Sequence, residues 1–505
     1  MRKPILLSLL LVAIGFVVTS QLTTAQQKSA TEASFEKARP VLENGIKAMG
    51  GLEALQAIAD ITREMTGTRN DEGQGMNPVF PRSATPPQTN RPRVKSVRDM
   101  RGQRAYDEFD DVIFGGQPLK LRFALAGTTA WSVNDLSKNI RVIPPANINN
   151  VRSGRFRRYP ESLLLTAWNR PEVLRWIGPG EFEGHKQQVI SFADFDGTEV
   201  ALYFDARTSL LTKTEFLNDD PVLGDIIIET VYSDWRPVEK VVLPFRITDR
   251  VGGVMQQDLR ATAITLNSKP PDSLFAMPEG YAKFEPPPPG PNVKKLADDV
   301  YSIIGGYNNL VVLFKDYVLV VEAGGNNRSS QAAIAEIKKL APDKPIRYLV
   351  STHFHFDHLS GVRSYIAEGT TIVTTPTARS VIERAATASH VMRPDALSRG
   401  PKAPIFEIMD NDKREFDDGV RRVELYKIAS PHVGEMIIAY LPKEKILFEA
   451  DILDIPEVGV PPAGDDTVDL AKQIERLGLR VETIVPVHGR VGTIDDLRLA
   501  LSNRK

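Results

Sequence analysis

Ser351-Thr352-His353-Phe354-His355-Phe356-Asp357-His358-Leu359-Ser360-Gly361 follows directly on the apolar run Tyr348-Leu349-Val350, and this junction decides how the chain is read. The run predicts a short buried strand. The polar stretch after it predicts a loop whose base the strand fixes, the place where α/β proteins put their chemistry. The chain has 7 histidines in 505 residues, and three at these offsets arise by chance in about one such sequence in a thousand. An extended segment points residues i and i+2 the same way, so His353 and His355 can offer imidazole nitrogens to one metal ion. Asp357 and His358 are then left for another. Gly361 lets the backbone pass close to the site as a helix over 362–367 begins.

Strand and helix patterns alternate on both sides of this loop. Strands are predicted at 300–304, 310–314, 317–321, 348–350, 423–428, 436–441, 445–449 and 483–487, with helices at 330–340 and 494–501. Strands without polar alternation, separated by helices, imply sheets covered on both faces and hence an α/β layered fold.

His353-x-His355-x-Asp357-His358 resembles the HxHxDH signature of the metallo-β-lactamase superfamily. That pattern continues with a His after a later strand, an Asp at the end of the next strand and a His in a short Gly-containing loop. Here those positions hold His432 in Ser430-Pro431-His432-Val433-Gly434, Asp451 after Leu447-Phe448-Glu449-Ala450, and His488 in Val487-His488-Gly489. The resemblance implies a four-layer αββα sandwich over 292–505. It also implies two zinc ions, one on His353, His355 and His432 and one on Asp357, His358 and His488, with Asp451 bridging. The family's chemistry would be hydrolysis by a metal-bound hydroxide, with Asp357 as the catalytic residue that orients it and carries its proton. Iron or manganese is compatible with the same imidazole and carboxylate ligands. Two departures stand out. Glu322 replaces the family's usual Asp after the strand 317–321, where it is expected to bond the metal-loop backbone. Val433-Gly434-Glu435-Met436 lacks the Thr common after the third His.

The run Glu285-Pro286-Pro287-Pro288-Pro289-Gly290-Pro291 can form neither helix nor ladder and reads as a stiff linker over 286–291. It separates this domain from a β-rich one over 29–285. That first domain opens with a helical stretch, 35–59, broken at Gly50-Gly51, and continues as strands. Its best hairpin signal is Asp196-Gly197 between 189–195 and 198–204, predicting a type I′ turn. Further strands are predicted at 226–232, 242–250 and 256–266, with a helical insert at 161–176 that carries Trp168 and Trp176 as core residues. The outline is an antiparallel sheet or half-barrel with helices, so the whole chain is α+β. This outline and phrases such as Val242-Leu243-Pro244-Phe245 resemble the outer-membrane lipoprotein-sorting carriers, which implies an apolar ligand pocket. A Pro-rich stretch, 78–92, is expected to be a long loop.

At the N-terminus, Arg2 and Lys3 precede an apolar run at 5–18 and small residues Thr23-Thr24-Ala25, the pattern of a secretory signal peptide over 1–25. The run is shorter than the roughly 20 residues of a bilayer-spanning helix, so no stable membrane span is expected after cleavage. Location is expected to be periplasmic or extracellular. No cysteine is present, which removes disulfides, thiolate ligands and a Cys nucleophile together. With 63 basic and 64 acidic residues, nothing steers the chain toward nucleic acid. The cluster Arg155, Arg157 and Arg158 reads as a solvated surface. His390, in the long connection 381–410, is a substrate-binding candidate overhanging the metals, and His185 reads as a turn residue. The functional expectation is an exported zinc hydrolase cleaving an ester, lactone, thioester or amide of a small, possibly acylated molecule. A β-lactamase, an iron-dependent oxidoreductase on the same fold, and a lipid- or lipoprotein-binding protein are the alternatives.

Overall fold

The strands Val318–Val321, Met436–Leu441 and Ile446–Glu449 are buried at every position, which requires cover on both faces of their sheets. In the computed structural model, which describes residues 28–70, 73–78, 89–113, 117–136, 138–283, 291–456 and 459–504, that cover comes from a second sheet and from helices. A 7-stranded sheet runs in order Asn292–Ala297, Val300–Ile304, Asn308–Leu313, Val318–Val321, Ile346–Val350, Thr371–Thr374, Ile405–Ile408. A 6-stranded sheet holds Lys413–Asp417, Arg422–Ile428, Met436–Leu441, Ile446–Glu449, Thr483–Pro486 and Gly492–Thr493 in chain order. Residues of both sheets and of the helices Asn327–Leu340, Val362–Glu368, Pro376–Thr387, Asp465–Arg476 and Ile494–Asn503 share one apolar core. This is the expected αββα sandwich. The helix expected at 330–340 starts earlier, at Asn327, because the Asn326 side chain accepts the Ser329 N–H at 2.9 Å as an N-cap.

Residues 60–283 build one 15-stranded sheet. Two antiparallel meanders make all of it but the two-residue strands Thr89–Asn90 and Ala282–Lys283, the second of which pairs parallel with Asn139–Ile143. One meander runs from Asp60–Asn70 through Arg93–Asp99 to Asn139–Ile143, and the other from Arg175–Phe182 through His185–Ala193 to Val254–Leu266. They join where Val254–Leu266 pairs antiparallel with Asp60–Asn70. The face is one-sided: Glu199–Asp205 alternates buried and less buried positions, and its Val200, Leu202 and Phe204 pack with Leu42 and Ile46 of the helix Ala30–Ala48.

Several local expectations change. The hairpin strands end at Ala193 and begin again at Glu199. Gly197 alone takes a positive φ, +82°, and the Asp194 N–H bonds the Thr198 carbonyl at 2.9 Å. The turn is therefore a three-residue loop with glycine at its left-handed position and not a two-residue type I′ turn. The helical insert stops at Trp168, before Pro171, and Trp176 lies on the strand Arg175–Phe182. Both indoles are half-buried against the core. Arg155, Arg157 and Arg158 are half-buried, not solvated, and pair with Asp107, Asp196 and Asp249. His185 is exposed at the start of its strand, as expected. The connection 381–410 contains structure of its own, the helix Ala396–Arg399 and the edge strand Ile405–Ile408. The signal segment 1–25 and most of the 286–291 linker lie outside the described residues, as does most of the Pro-rich stretch, whose Thr89–Asn90 forms a short strand against Asp60–Asn70. Among the described residues, no helix is long and apolar enough to cross a membrane.

Candidate metal centre

Four strand ends deliver the site. The chain after Ile346–Val350 stays extended through His355 and then makes one helical turn, Phe356–Leu359, so His353 and His355 come from extended backbone and Asp357 and His358 from the turn. His432 follows Arg422–Ile428, Asp451 follows Ile446–Glu449 with φ +59°, and His488 follows Thr483–Pro486. All seven converge as two groups sharing one carboxylate. His353, His355, His432 and Asp451 form one, and Asp357, His358, His488 and Asp451 the other, with ligand atoms in each within 4.8 Å of one another. Asp451 Oδ2 lies 2.8 Å from His358 Nε2, 3.3 Å from His432 Nε2 and 3.6 Å from His353 Nε2, while its Oδ1 lies 2.9 Å from His488 Nε2.

The residues fit metal ions. The buried Nε2 atoms of His353 and His358 make no hydrogen bond, close as Asp451 stands to the second. That arrangement is costly unless something else takes their lone pairs. His432 Nε2 and His355 Nδ1 face each other at 3.1 Å, slightly inside the roughly 3.3–3.4 Å of two imidazole nitrogens that both bind one tetrahedral ion at about 2.0–2.1 Å.

Tautomers follow from the outward nitrogens. Glu322 is fully buried and takes φ +83° at the end of Val318–Val321. Its Oε2 accepts the Thr352 hydroxyl at 2.7 Å and His358 Nδ1 at 3.1 Å, and its Oε1 accepts the Ala323 N–H at 3.0 Å. A carboxylate only accepts, so the neutral His358 ring, the form that can bind a metal, carries its proton on Nδ1 and turns a lone pair inward on Nε2. Thr352 gives its one proton to Glu322 and thus accepts from His353 Nδ1, 3.1 Å away. His353 Nε2 is thereby left to bind through its lone pair. Glu322 therefore bonds side chains of the metal loop, not its backbone as expected, and the longer Glu reaches all three donors. Gly361, packed against Ala323, allows the close passage expected of it.

Burial, with the neighbouring His358 and His355, pulls His353 well below the usual imidazole range, and burial lowers His355 also. For His358 burial is outweighed by the carboxylates of Asp451, Glu322 and Asp357, which raise it. Burial likewise opposes ionisation of Asp451, yet His358, His353 and His355 hold its carboxyl well below the ordinary range. Glu449 shapes the loop: its Oε2 accepts the Ile452 and Leu453 N–H groups at 2.9 and 3.2 Å, and burial pushes its carboxyl up to about 8.

The cleft over the site measures about 260 Å³ and is lined by Gln74, Leu453 and Asp454 beside Asp357, His432, Asp451 and His488. His390 is absent from this lining. It is buried in the contact between the two parts of the chain, with Nδ1 3.2 Å from Asp219, while Asp225 accepts the Met392 N–H at 3.2 Å. The structure thus separates His390 from the metal cleft, because the 389–392 segment docks on the long sheet. Sequence reasoning missed Gln74, Asp454 and Tyr307, whose hydroxyl donates to Asp357 Oδ2 at 3.2 Å and whose ring packs edge-on to His488. No local pattern marks these three.

Residues 304–488 match the model of the metallo-beta-lactamase superfamily. The chain is 22% identical to the linear primary-alkylsulfatase of Pseudomonas sp. (strain ATCC 19151), over 34% of this chain and 39% of that protein, so it spans well under half of that relative. Similar solved structures include the metallo-beta-lactamase from Pontibacter korlensis, 19% identical with TM-score 0.33, covering 42% of this chain and 98% of that one. A metallo-beta-lactamase from Hirschia baltica is 18% identical with TM-score 0.34, covering 43% and 99%.

Proposed function

We propose that the protein is an exported dinuclear zinc hydrolase of small ester-like molecules, a reading that starts from the match of residues 304–488 to the metallo-beta-lactamase superfamily. The observation that carries this reading is the pair of ligand groups sharing Asp451. Two bound divalent ions would supply Lewis acidity and bring the pKa of water down to about 7. The chain's own residues do the rest. Asp357 turns Oδ2 toward His358 and His488, where it can orient an attacking water and take its proton. Gln74, Leu453 and Asp454 wall a cleft that suits a small scissile group more than a large ligand, since drug-sized pockets start at about 300 Å³. The similarity to an alkylsulfatase adds sulfate esters to the carboxylic ester, lactone, thioester and amide classes.

Elemental analysis of the purified chain, with turnover of that panel by wild type and His353→Ala, tests the reading. Two zinc per chain and metal-dependent cleavage that His353→Ala abolishes are expected. Fewer than one metal after reconstitution, with no metal-dependent turnover, would sink it. Nitrocefin in the panel decides whether it is a β-lactamase. Iron in the protein with oxygen uptake on a persulfide would replace hydrolysis by oxidation. Export is supported by the 1–25 pattern and is tested by the mass of the mature N-terminus.

A second reading concerns the N-terminal part. A cleft of about 680 Å³ lies between its sheet and the helix Ile148–Arg157, walled by Val94, Phe109, Leu121, Phe123 and Val151. Arg98, Arg122 and Arg158 in its lining are paired with Asp107, Asp135 and Asp249, so the lining favours an apolar ligand over a free anion. Lipid extraction and mass spectrometry of the full chain test this, and an empty cleft counts against it.

A further inference from the structure

The metal loop is not held by the C-terminal region alone. Residues 73–75, 280 positions upstream of it, reach the site from the end of the strand Asp60–Asn70. Gly73 O accepts the Phe356 N–H at 2.9 Å. Gly75 O lies 3.0 Å from His355 Nε2. The Gln74 amide donates from Nε2 to Asp357 Oδ1. Three consecutive residues thus bond three consecutive residues of the HxHxDH stretch. Gly73 and Gly75 are buried and Gln74 forms part of the cleft wall.

The chemistry of these contacts is directional. A backbone carbonyl only accepts, so the 3.0 Å contact puts the His355 proton on Nε2 and leaves the Nδ1 lone pair facing His432 and Asp451. What Glu322 does for His353 and His358 from inside the sandwich, Gly75 does for His355 from outside it. The Gln74 amide does the corresponding work on a carboxylate. It engages Asp357 Oδ1, and Oδ2 then turns toward Tyr307, His358 and His488. The approach is close enough to require glycine: at φ +71° a Cβ on Gly73 would fall 2.3 Å from the Phe356 ring.

We propose that the segment 73–75 is a working part of the metal centre, the Gly75 carbonyl and Gln74 amide being positioning groups that fix His355 and Asp357 for ligation. The inference rests on the dinuclear reading above. It assigns the N-terminal part a role in metal affinity as well as any role in ligand binding.

The test uses the full-length chain and two readouts, stepwise metal affinity by chelator competition and the visible spectrum of the cobalt-substituted protein. Gln74→Ala is expected to weaken one of two metal-binding steps by about 10–100-fold, the usual effect of losing a partner behind a ligand, and to change the cobalt spectrum with little change in melting temperature. Gly73→Val, which pushes the segment off Phe356, is expected to weaken both steps. Glu161→Gln controls for general loosening of the N-terminal sheet and is expected to leave both steps alone. Wild-type affinity and spectrum in Gln74→Ala and Gly73→Val would overturn the proposal while leaving the dinuclear reading intact. An equal loss in Glu161→Gln would overturn it too, as would higher turnover of Gln74→Ala at unchanged metal affinity, which would make the segment an obstruction. Failure of wild type to bind two metals would remove the dinuclear reading first, and this inference with it.

Discussion

Replacing Glu322 by Gln changes almost no volume and so isolates its hydrogen bonding. The carboxylate receives three donors, Thr352 Oγ1, His358 Nδ1 and the Ala323 N–H, at 2.7, 3.1 and 3.0 Å, in a fully buried setting. An amide has only one accepting end. If its oxygen takes the Thr352 and His358 side, its NH₂ opposes the Ala323 N–H. If it is flipped, the NH₂ opposes His358 Nδ1–H, and Thr352 must turn its proton toward His353. The first arrangement orphans the Ala323 N–H, and the second either orphans the His358 Nδ1–H or forces that proton onto Nε2; each costs about 1–3 kcal/mol, and the remaining bonds lose charge assistance worth about 1 kcal/mol each. The total is about 3–5 kcal/mol, or roughly 6–20 °C in the melting temperature of a domain this size. The flipped arrangement also drives the protons of His353 and His358 onto the inward Nε2 atoms, where they block ligation. Glu322→Gln is therefore expected to melt lower in the metal-free state and to lose a further 10-fold or more in metal affinity, on the order of what other partners behind ligands contribute. Calorimetry of the metal-free protein and chelator competition measure the two effects separately. A variant melting within about 2 °C of wild type and binding metal equally well would refute the assignment of tautomers through Glu322.

Three further substitutions probe other contacts. Glu161→Ala strands the buried Arg63 guanidinium, whose Nη2 sits 2.8 Å from the lost carboxylate, and should cost about 3–5 kcal/mol in thermal unfolding with metal stoichiometry unchanged. Burial opposes ionisation of Asp395, but its bonds to the buried Arg363 at 2.6 and 3.0 Å and to Ser398 hold its carboxyl well below the usual range. Because the folded value is the depressed one, this stabilisation is complete above the unfolded pKa of about 3.9 and is lost as pH falls through the folded value. Asp395→Asn should lower the melting temperature at neutral pH and flatten the acid limb of a stability–pH profile, and an unchanged limb would refute the pairing. Tyr307→Phe removes one hydrogen bond from Asp357 and should shift the cobalt spectrum, with at most about a tenfold loss of affinity. A spectrum identical to wild type would count against that contact.

The amino-acid order was enough to read the sandwich and to name the residues that the fold gathers as its candidate centre. All-apolar runs such as Val318-Leu319-Val320-Val321 and Met436–Leu441 admit only doubly covered sheets, and metal ligation restricts the loop residues to His and Asp at spacings that survive as a pattern. The hairpin around Gly197 was legible in place but not in turn type, because Asp-Gly suits more than one loop and the strand register chooses among them. What stands behind the ligands came from the folded chain. Glu322 was visible as a departure, yet its partners Thr352 and His358 depend on how two parallel strands, Val318–Val321 and Ile346–Val350, lie side by side. Gln74 and Gly75 carry no local signal, since a carboxamide and a carbonyl acquire their roles only when a loop from the long sheet meets the metal loop. His390 shows the same limit in reverse: its position in the chain suggested the cleft, and the docking of Ser389 on Asp225 carries it to the contact between the two parts. Ligands are bound by short-range chemistry that sequence spacing records, whereas their orientation is set by groups brought together across hundreds of residues, which it does not.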